Sequence, residues 1–141
     1  MIGIVVVTHG NLAKELINAA QHVVGEQPGL KAVCIGPDDD MERRRSDILS
    51  AVQAAGGDSG AIILTDMFGG TPSNLAIAVM GQAKGEVIAG ANLPMLIKIA
   101  PASFREKASL EEAVTAAHDA GRKYISVASW VLSGKTEPEG S

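Results

Sequence analysis

Continuous aliphatic runs and amphipathic segments alternate along the chain, and this pattern predicts an α/β fold. The runs predicted as strands are Ile2–Thr8, Ala32–Ile35, Gly60–Thr65, Val87–Ala89 and Tyr124–Ser129. Aliphatic residues follow one another in most of these runs, which is typical of parallel strands that helices cover on both faces. We therefore expect a central, mostly parallel sheet between two layers of helices.

The segments between these runs have the period and the boundary residues of helices. The predicted helices are residues 11–24, about 40–55, from 72 onward, 92–100 and 109–121. Thr71 is the expected cap of the third helix, since Pro72 suits a first helical turn. Ser109 has capping-box spacing to Glu112, and Gly121 is expected to end the last helix.

The alternation of strands and helices predicts one domain, residues 1–132. Its expected architecture is a doubly wound, mostly parallel, five-stranded sheet with helices on both faces. Residues 133–141 are polar and contain Gly and Pro, so we expect a disordered tail there.

Composition and charge exclude several classes of partner. The net charge is −4, and the one dense basic stretch, Arg43–Arg45, directly follows the acidic Asp38–Asp40, so we expect no nucleic-acid partner. Cys34 is the single cysteine and lies in an aliphatic run, which is typical of a reducing compartment. No apolar stretch reaches the length of a membrane span or of a signal peptide. We therefore expect a soluble, cytoplasmic protein.

Two polar residues follow strands at the edge where doubly wound sheets bind their ligands. Ligands bind such sheets beyond the carboxyl ends of the strands, where the strand order reverses. His9 ends the first strand and Asp66 follows the third, so the two meet if those strands are neighbours. Asp66 would accept the N–H of one ring nitrogen and leave the other as a nucleophile. Gly10 leaves open space beside the ring.

A glycine-rich loop after the third strand predicts an anion-binding site next to His9. Gly69 and Gly70 let backbone amides approach an anion, and the following helix directs its N–H groups and positive dipole end there. Thr71 and Ser73 can add hydroxyl donors. A nucleophilic histidine, an orienting aspartate and an anion cradle together describe phosphoryl transfer.

No clustered set of His, Cys and carboxylate residues suggests a metal or another cofactor. His22 and His118 each lie within a predicted helix without a metal-ligand partner at i+3 or i+4, so both are interpreted as structural. We expect the site to work without a metal ion.

At these residues the sequence resembles the mannose-type enzyme IIA family of the bacterial phosphoenolpyruvate:sugar phosphotransferase system. The matching segments are Ile4–Gly10, Thr65–Asn74 and Gly90–Met95. The second segment, TDMFGGTPSN, is the specific one, and with the order of the elements the match extends from Met1 to about Leu132.

The resemblance implies a role for each site residue. His9 would accept a phosphoryl group from the phosphohistidine of the carrier HPr and pass it to an enzyme IIB. Asp66 would be its hydrogen-bonding partner, with the phosphoryl group on Nε2, and Thr71 would place a hydroxyl near it. The resemblance also implies an antiparallel strand near the C-terminus that is exchanged between the subunits of a homodimer.

Three other functions are consistent with parts of this pattern. Because the chain stops after a short polar tail, the acceptor of the phosphoryl group is expected to be a separate protein. The first alternative to this carrier function is a regulatory module, in which the phosphorylation state of His9 controls a partner protein. Histidine-glycine after a first strand also occurs in tetrapyrrole chelatases, but these need further metal ligands. Phosphoglycerate mutases need an arginine where this chain has Thr8.

Overall fold

A four-stranded parallel sheet forms the centre of the computed structural model, which describes residues 1–134. The strands are β1 (Gly3–His9), β2 (Leu30–Ile35), β3 (Ala61–Thr65) and β4 (Gly85–Ala89). They lie side by side in the order β2-β1-β3-β4, and every pair is parallel. The first four predicted strands are therefore confirmed, and β1 and β3 are neighbours.

Helices cover both faces of this sheet. The helices of the described residues are α1 (Leu12–Val24), α2 (Met41–Gly56), α3 (Thr71–Met80), α4 (Leu93–Ile99), α5 (Ala102–Arg105), α6 (Leu110–Lys123) and α7 (Ala128–Leu132), of which α7 buries no residue. Side chains alternate along β1: Ile4 and Val6 pack against α1, α4 and α6, whereas Val5 and Val7 pack against α2 and α3. All four of these side chains are completely buried. The doubly wound arrangement follows from this alternation, because the central strands β1 and β3 are buried on both faces.

The fifth strand predicted at Tyr124–Ser129 is absent from the described part of the chain. Residues 125–127 have no regular structure, and α7 begins at Ala128. Tyr124 and Ile125 are exposed, so this apolar run does not pack on the sheet. An apolar run indicates that a segment is buried, but it does not identify the surface that covers the segment. A strand forms only where the segment can pair with a sheet edge. The antiparallel strand is likewise absent from residues 1–134.

Two predicted helix boundaries need correction. Thr71 is the first residue of α3 rather than its cap, and Gly70 occupies the N-cap position without a side-chain bond. Gly121 lies inside α6 instead of ending it. A Cβ at Gly121 would come within 2.7 Å of the Met95 side chain, so this glycine permits α4 and α6 to approach closely.

Other predicted boundaries are confirmed by their capping bonds. The Asp40 carboxylate accepts the backbone N–H groups of Glu42 and Arg43 at the start of α2. Ser109 and Glu112 form the predicted capping box at the start of α6. The expected tail lies, from residue 135 onward, outside the described residues. None of the helices in residues 1–134 has the length and apolar character needed to cross a membrane.

Candidate active site at the carboxyl edge of the sheet

His9 and Asp66 meet at the carboxyl edge of the sheet, as the sequence predicts. The register pairs Val7 of β1 with Thr65 of β3, so the residues that follow them leave the sheet side by side. The Nδ1 atom of His9 lies 2.9 Å from Oδ2 of Asp66. The same oxygen accepts the backbone N–H of His9 at 3.1 Å. Two residues 57 positions apart are thereby joined by both a ring and a backbone bond.

The bond to Asp66 determines which ring nitrogen of His9 is free. An ionised carboxylate only accepts hydrogen bonds, so Nδ1 carries the proton and Nε2 keeps its lone pair. Burial on its own raises the pKa of Asp66, but the hydrogen bonds and charge of His9 outweigh it and hold that pKa below its ordinary value. Half of the His9 side chain, 51%, is exposed. The ring is therefore accessible from solution.

The glycine-rich loop lies against the free side of the ring. Gly69 has a φ of +94°, a conformation that residues with a side chain rarely adopt. A Cβ placed on Gly70 would lie 3.0 Å from Cε1 and 3.3 Å from Nε2 of His9. Gly70 precedes α3, so the positive end of the α3 dipole faces the Nε2 edge of the ring. A side chain at position 70 would therefore crowd the Nε2 edge of the ring.

A small cleft of about 200 Å³ opens beside His9. Its lining includes Gly10 and Thr71 together with the side chain of Met41 from α2. Gly10 has a φ of +55°, and nothing lies within 4 Å of the place where its Cβ would be. The cleft therefore brings together three of the predicted features: the histidine, the open space beside it, and Thr71 at the start of α3.

Ser73 does not line this cleft, and this is a correction to the sequence analysis. Its side chain is completely buried. Its hydroxyl accepts the N–H of Gly69 at 2.9 Å and donates to the carbonyl oxygen of Gly70 at 3.0 Å. The sequence predicts a hydroxyl that faces an anion, whereas the structure has a hydroxyl bonded to the loop itself.

Thr8 contributes to the site in a way that the sequence analysis missed. Its buried hydroxyl accepts the N–H of Ala13 at 2.7 Å and so binds one of the free amides at the start of α1. This bond fixes the turn between β1 and α1, in which His9 and Gly10 lie. A threonine at a strand end, five residues before a helical amide, is the signal that could have identified it.

The remaining histidines lie apart from this site. His22 belongs to the last turn of α1, and the exposed ring of His118 contacts Asp119 on α6. Among residues 1–134, no three His, Cys, Asp or Glu side chains are grouped so as to hold a metal ion.

Comparison with known proteins gives a consistent result. A family model described as "PTS system fructose IIA component" matches residues 3–118. The chain is 33% identical to the PTS system sorbose-specific EIIA component of Lacticaseibacillus casei, over 69% of this chain and 70% of that protein. It is 32% identical to the PTS system mannose-specific EIIAB component of Escherichia coli K12, over 88% of this chain and 38% of that protein.

Superposition on solved structures agrees with the sequence comparison. The mannose/sorbose specific IIA subunit of the phosphotransferase system from Enterococcus faecalis superposes with a TM-score of 0.78 over 99% of this chain and 98% of that one. The sequence identity of that pair is 24%. A IIA protein associated with the fucose utilization operon of Streptococcus pneumoniae superposes with a TM-score of 0.74 at 26% identity, over 92% of this chain and 95% of that one.

Proposed function

The chain belongs to the mannose-type enzyme IIA family of the phosphotransferase system, and on this premise we propose that His9 is the residue that carries its phosphoryl group. The chain is a phosphocarrier, which receives phosphate from HPr and passes it to an enzyme IIB. The observation that supports His9 is the 2.9 Å contact of Nδ1 with Asp66, which leaves Nε2 free beside Gly70. A separate regulatory or chelatase function is not needed to explain these features.

The proposed step needs no proton transfer. The Nε2 lone pair attacks phosphorus, the bond from phosphorus to the donor's histidine nitrogen breaks, and its electron pair returns to the donor ring. His9 then holds the phosphoryl group on Nε2 and a proton on Nδ1, so its ring becomes positively charged. Asp66 is the counter-charge to this ring. The positive charge of the phosphorylated ring also makes the ring a good leaving group, so the phosphoryl group is readily transferred to the next acceptor.

We assign the phosphoryl oxygens to the start of α3 and its loop. Gly70 leaves room beside Nε2, Thr71 lines the same cleft and would donate its hydroxyl there, and the dipole of α3 favours negative charge at this place. Gly69 and Gly10 permit the backbone turns on either side of this cradle. Binding through backbone and hydroxyl donors does not require a metal ion. Transfer from purified phospho-HPr should therefore proceed unchanged in the presence of a chelator.

We further propose that the chain acts as a homodimer. β4 is an edge strand, and the groove beside it, of about 530 Å³, is lined by Val87, Val114 and the 75% exposed Phe68. Val131 and Leu132 at the C-terminal end are also exposed. An antiparallel strand from the second subunit would cover both surfaces and complete a five-stranded sheet. Light scattering should then give twice the chain mass of 14.5 kDa; a monomer at micromolar concentration contradicts the dimer.

The carrier function has a direct biochemical test. The purified chain is incubated with radiolabelled phosphoenolpyruvate and enzyme I, with and without HPr. We expect label only with HPr, and it should be lost in acid but survive alkali, as phosphohistidine does. Label that survives acid indicates a phosphoserine or phosphothreonine and contradicts the proposal. Label that appears without HPr contradicts the assigned donor.

A further inference from the structure

We propose that Ser73 is a positioning residue for this reaction, which holds the glycine-rich loop in place beside His9 without contacting the phosphoryl group. The inference rests on the proposed function, because it assigns Ser73 a role in phosphoryl transfer. Its structural part, the attachment of the loop to Ser73, stands on hydrogen bonds alone and is testable without any phosphoryl donor.

The Ser73 hydroxyl is bonded to both glycines of the loop. It accepts the N–H of Gly69 at 2.9 Å and donates to the carbonyl of Gly70 at 3.0 Å. The carbonyl of Gly70 also accepts the N–H of Asn74 at 3.0 Å, the first bond of the α3 ladder. Ser73 is completely buried, so water does not compete for its hydroxyl. These bonds attach the loop rigidly to the first turn of α3.

The side chains of the loop give it little other support. Met67 and Phe68 are exposed by 55% and 75%, so their packing does not hold the segment. Gly69 contributes no side chain, so its backbone can adopt conformations other than the observed one, which has a positive φ. Asp66 secures the start of the loop through its own bonds to His9 and Met67. Ser73 is therefore the side chain that secures its end.

The end of the loop is the part that limits the space around the reacting nitrogen. The Cβ position of Gly70 lies 3.3 Å from Nε2 of His9, so a shift of this backbone by less than 1 Å changes the room for phosphorus. The bond to Ser73 also engages the N–H of Gly69 and removes it from the donors available to an anion. The cradle is thus left to Thr71 and the first amides of α3, with Ser73 behind them.

The first test needs only the wild-type chain. Amide hydrogen exchange is measured by NMR, and the N–H of Gly69 should exchange at least about tenfold more slowly than that of the exposed Phe68, because it is hydrogen-bonded. Exchange as fast as that of Phe68 overturns the inference. In Ser73→Ala this protection should disappear.

The second test compares Ser73→Ala with Thr65→Val in transfer from phospho-HPr. Thr65 is a matched control, since its hydroxyl is equally buried at the same sheet edge but has no hydrogen-bond partner within residues 1–134. We expect Ser73→Ala to lower the maximal single-turnover rate by roughly 10- to 100-fold. The phospho-HPr concentration for half-maximal rate should change less than about twofold, because buried Ser73 does not contact the donor. Thr65→Val should keep the wild-type rate.

The possible outcomes distinguish the proposed carrier function from the positioning role of Ser73. A wild-type chain that accepts no phosphoryl group contradicts the proposed function, and the positioning role with it, whatever Gly69 exchange shows. A wild-type chain that is labelled, with Ser73→Ala equally fast, overturns the positioning role alone. A loss that appears only as weaker donor binding overturns it too, because it assigns Ser73 to the docking surface. A folded Ser73→Ala with a slow maximal rate supports it.

Discussion

Removing the carboxylate of Asp66 should slow phosphoryl transfer strongly without unfolding the chain. Asp66→Ala deletes the acceptor of the His9 ring and backbone N–H groups, at 2.9 and 3.1 Å, and of the Met67 N–H at 3.1 Å. The ring then loses its fixed orientation and tautomer, and the phosphorylated ring loses its counter-charge. The nucleophilic ring of His9 is still present in this variant.

The size of the effect follows from the contact distance. Two unit charges 2.9 Å apart attract each other by about 6 kcal/mol at an effective dielectric constant of about 20. Because 51% of the His9 side chain is exposed, solvent screening reduces this attraction, so about 6 kcal/mol is an upper limit. At about 1.4 kcal/mol per tenfold, the upper limit corresponds to about 10⁴-fold in rate. The loss of an orienting and charge-stabilising partner costs roughly 10²–10⁴-fold in comparable catalytic sites, and we expect Asp66→Ala to be slower by that factor.

The assay is a rapid-quench time course with phospho-HPr, with Asp66→Asn as the second variant. An amide keeps the shape of the carboxylate but lacks its charge, and its NH₂ group favours the wrong tautomer of His9. Asp66→Asn should therefore be slow as well, although it fills the same space. Wild-type rates for both variants would refute the reasoning and reduce Asp66 to a residue that stabilises the loop.

Three further predictions concern stability. Gly3→Ala should lower the free energy of unfolding, measured by urea titration, by about 1–3 kcal/mol or more, since its Cβ would lie 2.4 Å from the backbone of Ala55. The control Gly81→Ala has no such neighbour and should change the free energy of unfolding by less than about 1 kcal/mol. Thr65→Val should raise the melting temperature, because it removes a buried hydroxyl without a partner in residues 1–134; a fall would indicate a bound water. Because its folded-state pKa is lowered, Asp66 should stabilise the chain above about pH 4 and lose this contribution as the pH falls through that pKa, so the stabilities of wild type and Asp66→Asn should converge in acid.

The sequence predicts the parts of the fold that depend on local pattern. The four aliphatic strands, the start of α2 near residue 40 and the capping box at Ser109 all lie where expected, because burial and capping depend on residues close together in the chain. The meeting of His9 with Asp66 was also predictable, since the position of a site in a doubly wound sheet follows from strand order.

The features that the sequence did not predict depend on distant contacts. Gly121 has the residue type of a helix end, but its place inside α6 is decided by the approach of Met95 from α4. The short helix α5 is fixed by Arg105, whose buried guanidinium donates to the carbonyls of Ile2 and Pro28. No local pattern indicates those partners.

The two errors with functional consequences have the same physical origin. The run at Tyr124–Ser129 is apolar enough for a strand, but a strand must pair with a sheet edge, and within the described residues this run pairs with neither edge strand, β2 or β4. Ser73 has the residue type of a phosphate ligand, but its position in the first turn of α3 directs the hydroxyl back to the loop. In both cases the residue type indicates the kind of contact that the residue can make, but it does not indicate which group provides that contact.

The most direct measurement of the central claim is the phosphorylation of single-histidine variants. Wild type, His9→Ala, His22→Ala and His118→Ala are each incubated with radiolabelled phosphoenolpyruvate, enzyme I and HPr, and bound label is counted per folded chain. We predict one acid-labile phosphoryl group on wild type, His22→Ala and His118→Ala, and none on His9→Ala. Full labelling of a folded His9→Ala variant would contradict the account and move the phosphorylated residue elsewhere in the chain.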